Sequence, residues 1–311
     1  MVNPLWAEGS SRSIGLREAG TPSVDNNVPP PNVPFIVAFD IIYAIGLVSL
    51  GAILLTAWRS SQIKRASTWI MVIVSWFITS LANLILVGQQ TGRPPMTGVC
   101  LTQAMLIYAL PIFCSFYATA FMWQVYLSIS LALRSGSTVS RTQMALLHAV
   151  PCASFLGILI EVLVFGVLRP DTIQRHPLGM YCHLTISTPS KITAGLTILA
   201  LIVFFSLEVS IAITLWRLWK SSGKLSPLRT QDHISIDVAA RVVIFGFCPM
   251  VAIGVSALQY IPKFTINDTK TSLIQAALPV VASLIFGTQR DILRVWMFWR
   301  RRSPILPSNK V

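Results

Sequence analysis

Residues 192–219 read ITAGLTILALIVFFSLEVSIAITLWRLW, an apolar run in which Glu208 is the only charged residue before Arg217. A helix rises about 1.5 Å per residue, so about 20 such residues cross the roughly 30 Å hydrocarbon core of a bilayer. In lipid, an open sheet would leave backbone groups unpaired, and the sequence lacks the alternation typical of barrel strands. The run therefore predicts a transmembrane helix.

Six further apolar runs accompany this one, and most are also long enough to cross a bilayer. The seven predicted segments are 34–58, 67–88, 99–133, 143–168, 192–219, 238–261 and 271–287. Hydrophobic residues make up 54% of the chain and charged residues 11%, against about 25% charged residues in a soluble domain. We therefore predict an all-α membrane protein, a seven-transmembrane helix bundle.

The regions outside the bundle are expected to differ in character. Residues 1–33 are polar and Pro-rich, which predicts a disordered tail, and segment 1 itself would serve as the signal-anchor. In residues 288–302, the apolar side chains of Ile292, Val295, Trp296 and Trp299 recur with helical spacing. This pattern predicts an amphipathic cytoplasmic helix lying on membrane lipids, followed by a tail over 303–311.

The distribution of basic residues predicts the orientation. Of the 24 Lys and Arg residues, 16 fall on the side that holds the first, third and fifth loops and the C-terminal tail. Because the more basic side is usually cytoplasmic, we predict an extracellular N-terminus and a cytoplasmic C-terminus, in the plasma membrane. The net charge of +13 is placed at helix ends and loops, so nucleic acid is not an expected partner.

Two features of the predicted outer face agree with this orientation. Asn267-Asp268-Thr269 is a glycosylation sequon in the loop between segments 6 and 7. Cys100 opens segment 3 and Cys182 lies in the loop between segments 4 and 5. On an oxidising face the two cysteines can pair and tie that loop over the mouth of the bundle; two free thiols are the alternative.

This arrangement of seven helices, an outer N-terminus and two such cysteines resembles a G-protein-coupled receptor. Residues 278–292 read LPVVASLIFGTQRDI and resemble fungal receptor-like proteins, especially basidiomycete members related to cAMP and glucose receptors. The resemblance implies a receptor for a small extracellular ligand that signals to a heterotrimeric G protein.

The sequence also departs from the rhodopsin-like pattern. Gln124-Val125-Tyr126 occupies the place of Asp-Arg-Tyr on helix 3, and segment 7 lacks Asn-Pro-x-x-Tyr. Pro111, Pro249 and Pro279 interrupt segments 3, 6 and 7. Proline frees a carbonyl and lets a helix bend, so these positions are candidate hinges, although membrane helices often contain proline without any switching role.

Three acidic residues fall inside predicted spans, where a charge costs about 2.5–3.5 kcal/mol on insertion scales. Asp40 and Glu161 would lie at similar depth near the outer face and could hold a cation or an amine. Glu208 lies nearer the middle of segment 5 and could act as a proton-linked switch. The alternative is a structural role, with the acids protonated or hydrogen-bonded. The candidate ligand-binding residues are Asp40, Gln103, Tyr108, Glu161 and Gln275.

The cytoplasmic face supplies the candidate G-protein contacts, which are Lys220, Lys224 and Arg229 in the fifth-to-sixth loop and Arg290 after segment 7. We do not expect an enzyme, a metal site or a cofactor, because only His148 of the four histidines lies in a predicted span. Two alternatives remain open. One is a seven-helix lipid-translocating or small-solute transport protein, and the other is a receptor-like protein that does not couple.

Overall fold

The structure is a computed structural model, and it describes residues 32–60, 66–134, 139–221 and 268–296. It is mostly helical (84%). The helices of the described ranges are α1 (Val33–Arg59), α2 (Ser67–Asn83), α3 (Thr97–Arg134), α4 (Arg141–Leu168), α5 (Ser187–Ser221), α6 (Asp268–Gly287) and α7 (Arg290–Trp296). Predicted segment 6 lies outside the described residues, so α6 corresponds to predicted segment 7.

Among the described residues, five helices, α1 to α5, are long and apolar enough to cross a membrane. In α6 the apolar part, Thr271–Gly287, is shorter. Large apolar side chains are exposed on the bundle surface, among them Val48, which is 72% exposed, and Leu168, which is 73% exposed. Soluble proteins rarely expose contiguous apolar surface of this extent. The chain therefore has the architecture of an all-α membrane protein.

Local sequence signals account for several helix ends. Pro34 lies in the first turn of α1, where its missing N–H costs no helical hydrogen bond. Ser140 and Gln143 form a capping box at the start of α4. A short 3-10 turn, Leu84–Leu86, extends α2. These helix ends lie at the polar residues that separate the apolar runs of the sequence.

The bundle is organised around α3, which packs against α2, α4 and α5, while α1 packs against α2 and α6. The main core cluster includes Leu50, Ile73, Tyr117 and Phe286 from four different helices. At Gly46, α1 approaches α6 so closely that an added Cβ would lie 2.8 Å from the Cβ of Pro279. The absence of a side chain at Gly46 is therefore what allows this approach.

A small β-hairpin connects α4 to α5, and we call residues 173–184 the hairpin. Its strands are β1 (Ile173–Arg175) and β2 (Cys182–Leu184), paired antiparallel with Gln174 opposite His183. Gly179 adopts a φ of +78° in the turn, a conformation that favours glycine. These strands are not predictable from the sequence, because three residues are too few to show an alternating pattern.

Candidate functional site

The hairpin is tied to the start of α3 by the predicted cysteine pair. Cys100 and Cys182 are seen at disulfide distance, with Cα atoms 5.3 Å apart, and both are buried. The end of the bundle that carries this bond is called the hairpin end below. A covalent bond at this point restricts how far the hairpin can move away from α3.

Gln103 reinforces the same attachment with both groups of its side-chain amide. Its Oε1 accepts a hydrogen bond from the Cys182 N–H at 2.9 Å, and its Nε2 donates to the Ala82 carbonyl at 3.2 Å. The residue is fully buried. Gln103 was predicted as a ligand contact, and in this structure it joins the hairpin to α2 and α3.

Tyr108, the next ligand candidate on α3, also contacts the hairpin. Its hydroxyl accepts from the Leu184 N–H at 3.3 Å and lies 3.4 Å from the Leu184 carbonyl. Thr193 on α5 donates to the Tyr108 carbonyl at 3.1 Å. Tyr108 therefore links α3 to both the end of β2 and the beginning of α5.

Asp40 reaches the hairpin through Gln90. The Asp40 Oδ1 accepts from the Gln90 Nε2 at 2.7 Å, and Gln90 is buried. The hairpin passes close to the same residue, because an added Cβ on Gly179 would lie 2.5 Å from the Gln90 carbonyl oxygen. The half-buried Asp40 side chain thus has a neutral hydrogen-bond partner next to the hairpin turn.

The other two ligand candidates lie on α4 and α6. Glu161 is half-buried on α4, and its Oε1 has no hydrogen-bond partner in the described part of the chain. Gln275 is half-buried on α6, one residue before the buried Ala276. The structure therefore brings Gln103, Tyr108 and Asp40 to the hairpin, and no described hydrogen bond joins them to Glu161.

The hairpin turn itself covers the helix ends. Met180 is buried in a cluster with Ile36, Phe39 and Tyr43 of α1 and Ala276 of α6. Leu178 and Tyr181 pack against the same cluster. Apolar side chains of the turn therefore lie between the described starts of α1 and α6, close to the polar contact of Asp40.

Arg175 anchors the hairpin to the connection between α2 and α3. Its guanidinium donates to the carbonyls of Gln89 at 2.9 Å and Gly92 at 3.0 Å. These carbonyls follow the end of α2, so they have no partners within a helix. Arg175 and Gln90 were not singled out from sequence, because their partners are distant in the chain.

The candidate hinge residues lie in different environments. Pro111 is exposed on α3, which continues through it without a break, whereas Pro279 is buried against α1. Glu208 is only 7% exposed, and its Oε2 has no hydrogen-bond partner within the described ranges. Pro249 lies outside the described residues.

At the opposite end of the bundle, polar side chains join the helices. The Thr68 hydroxyl donates to Gln124 Oε1, and the Ser67 hydroxyl lies 2.8 Å from His148 Nε2. Gln124 is the residue found in place of Asp on helix 3, and its bond to α2 is a neutral one. The structure thus places a neutral side-chain hydrogen bond between α2 and α3 at that position.

The candidate G-protein contacts are described only in part. Lys220 is exposed in the last turn of α5, and Arg290 begins α7. The α7 helix packs back on α1, where Trp296 Nε1 donates to the Thr56 hydroxyl at 2.8 Å. Lys224, Arg229 and the sequon residue Asn267 lie outside the described residues.

The described residues contain no group of three or more His, Cys, Asp or Glu side chains that could hold a metal ion. No protein-family model matches the sequence, and no curated protein matches it. The site is therefore defined by its own geometry, a disulfide-tethered hairpin with Asp40, Gln103 and Tyr108 beneath it.

Proposed function

We propose that this chain is a G-protein-coupled-receptor-like protein with seven membrane-spanning segments, an extracellular N-terminus and a cytoplasmic C-terminus in the plasma membrane. It senses a small extracellular ligand and signals to a heterotrimeric G protein. Residues 288–302 form an amphipathic helix on the cytoplasmic surface, and the sequon at Asn267 is glycosylated.

The observation that carries the proposal is the Cys100–Cys182 pair. It joins the start of α3 to the hairpin between α4 and α5, inside a bundle of apolar helices. Disulfides persist in oxidising compartments, so this pair favours an extracellular or lumenal hairpin end. Residues 278–292 resemble fungal receptor-like proteins, and this resemblance is the reason for proposing a heterotrimeric G protein as the partner.

Ligand recognition would take place at the hairpin end. Asp40 offers a carboxylate beside the turn, and Gln103 and Tyr108 fix the hairpin above it. A ligand changes the bundle only to the extent that it binds one arrangement more tightly than another. The α1–α6 approach at Gly46 and Pro279 is the contact through which such a difference would reach the rest of the bundle.

The test is proximity between this protein and each G-protein α subunit, measured by resonance energy transfer in fungal cells. One variant carries Lys220→Gln, Lys224→Gln and Arg229→Gln. The matched control carries Lys191→Gln, which removes an exposed charge at the opposite end of α5, about 44 Å away at 1.5 Å per residue. Surface expression is measured for both variants.

Loss of the signal in the triple variant, with the control unchanged, supports coupling through the fifth-to-sixth loop. If wild type associates with none of the α subunits, with or without extracellular extracts, coupling is refuted and the protein is a non-coupling receptor or a transporter.

A second candidate is lipid or small-solute transport, and the buried Glu208 favours it. The Oε2 atom of Glu208 has no hydrogen-bond partner in the part of the chain that the structure describes, and buried carboxyl groups inside membrane helices often mark translocation pathways. Transport of a labelled lipid by the purified protein in proteoliposomes, abolished by Glu208→Gln, would support this function. A receptor shows no such transport.

A further inference from the structure

We propose that the hairpin is a pH-responsive cover of the bundle, held closed by neutral His176 and His183 and loosened when they take up protons. This behaviour would hold for a receptor, a transporter or a non-coupling protein alike. The hairpin responds to protons, and the response is measured as a change in the position of the hairpin turn.

The closed state is defined by the apolar turn. Met180 is 1% exposed and packs on Ile36, Phe39 and Tyr43 of α1, as well as Ala276 of α6. Any motion that lifts the turn exposes this side chain to water. Met180 is therefore a direct probe of whether the cover is closed.

His176 lies at the first residue of the turn and takes part in its geometry. Its ring stacks on Tyr181 with centroids 4.8 Å apart and meets the His183 ring at 5.3 Å. Its Nδ1 accepts from the Leu178 N–H at 3.4 Å, and its backbone bonds to Tyr181 and Gly179. A proton on Nδ1 would replace this acceptor with a donor facing the Leu178 N–H.

His183 lies on β2 opposite Gln174, between the buried residues Cys182 and Leu184. Its Nδ1 is buried, and the described residues provide it with no hydrogen-bond partner. Burial lowers the pKa of His183 below its ordinary value of 6.5, and a hydrogen bond with the Gln174 backbone opposes this only in part. A proton on His183 is therefore unfavourable in the closed hairpin.

The surrounding charges do not compensate such a proton. The hairpin itself contributes Arg175 and Tyr181, and the elements around it contribute Asp40 and Tyr43 on α1, Tyr108 on α3, Arg169 and Asp171 before β1, and Lys191 on α5. Asp40 is bonded to Gln90, and Arg169, Asp171 and Lys191 are exposed. Burial and the Gln174 backbone alone shift the pKa of His183, so no carboxylate in the described ranges offsets its charge.

The direction of the pH response of the hairpin follows from these contacts. A histidine whose pKa is lowered in the closed state binds more protons when the hairpin is open. The closed state is therefore fully favoured above pH 6.5 and loses stability as the pH falls below 6.5 towards the lowered pKa of His183. Acidification opens the cover, and neutralisation closes it.

The experiment is methyl NMR of the full chain in lipid nanodiscs with 13C-methyl methionine. The Met180 resonance is assigned with Met180→Leu. Between pH 7.5 and 5 we expect it to move from the shift of a packed methyl group to that of an exposed one, with a midpoint below 6.5. In the His176→Asn, His183→Gln double variant it should stay at the packed position, because Asn and Gln retain hydrogen-bonding groups without titrating.

His148→Gln is the matched control, since His148 lies at the opposite end of the bundle and should leave the pH response unchanged. The cover is refuted if the Met180 signal of wild type stays in place over this range, or if the double variant moves as wild type does. Helical circular dichroism and an intact Cys100–Cys182 bond establish folding. If the double variant fails to fold, the single variant His183→Gln is used, and it must reduce or shift the pH-dependent change of the Met180 resonance. An unchanged pH dependence in that variant would also refute the cover.

Discussion

Replacing Gly46 by alanine should destabilise the protein, because α1 and α6 meet at this residue. The new Cβ would lie 2.8 Å from the Cβ of Pro279 and 3.4 Å from the Ser80 hydroxyl. The Pro279 Cβ belongs to a ring at a buried position of α6, so it cannot rotate away. Overpacking of this kind costs about 1–3 kcal/mol, and the better helix propensity of alanine returns about 0.5–1 kcal/mol.

Gly157→Ala is the matched control, because in the described part of the chain an added Cβ there meets no heavy atom within 4 Å beyond its own helix backbone. The propensity gain is common to both variants, so their difference isolates the cost of the contact. With about 2 kcal/mol for that cost and about 2–4 °C per kcal/mol, Gly46→Ala should melt about 4–8 °C below Gly157→Ala. Both melting temperatures are measured in the same detergent. Equal melting temperatures, or a higher one for Gly46→Ala, would refute the close approach of α1 and α6.

Three further substitutions test single contacts by the same melting assay. Gln103→Leu leaves the buried Cys182 N–H unpaired and should lower the free energy of unfolding by about 2–4 kcal/mol. An unchanged melting temperature would mean that the hairpin is held without this amide. Glu208→Met removes a buried oxygen without a described partner and should stabilise the protein by about 1–3 kcal/mol; a lower melting temperature would contradict this. Trp296→Phe removes the bond to Thr56 at a partly exposed site and should cost about 0.5 kcal/mol, and a loss above about 2 kcal/mol would exclude this cause.

The described helices could be predicted closely because membrane spans are encoded by length and hydropathy. Predicted segment 34–58 corresponds to α1, which spans Val33–Arg59. Predicted segment 143–168 corresponds to α4, which spans Arg141–Leu168. Segment 5 begins later than α5, at Ile192 instead of Ser187, because the polar first turn of α5 carries no hydropathy signal. Local composition thus places the body of a helix better than its ends.

The candidate site was less predictable, because its contacts join residues far apart in the chain. Cys100 and Cys182 could be paired by their positions relative to the segments. The partner of Gln103, in contrast, is a backbone N–H 79 residues away, and nothing in the local sequence identifies it. Tyr108 likewise bonds to Leu184, 76 residues on. A polar residue in a predicted span therefore indicates that a partner exists without identifying it.

The span of chain enclosed by the disulfide bears on how the protein is assembled. Cys100 and Cys182 are separated by 82 residues, which include the rest of α3 and all of α4. Oxidation can follow only after both helices have been synthesised and inserted as a pair that returns the hairpin to the starting face. Closing a loop of this length removes about 4.5 kcal/mol of unfolded-chain entropy. A chain that inserts α4 in the wrong direction would leave the two thiols on opposite faces and unable to meet, so the bond can form only when α3 and α4 are inserted as an antiparallel pair.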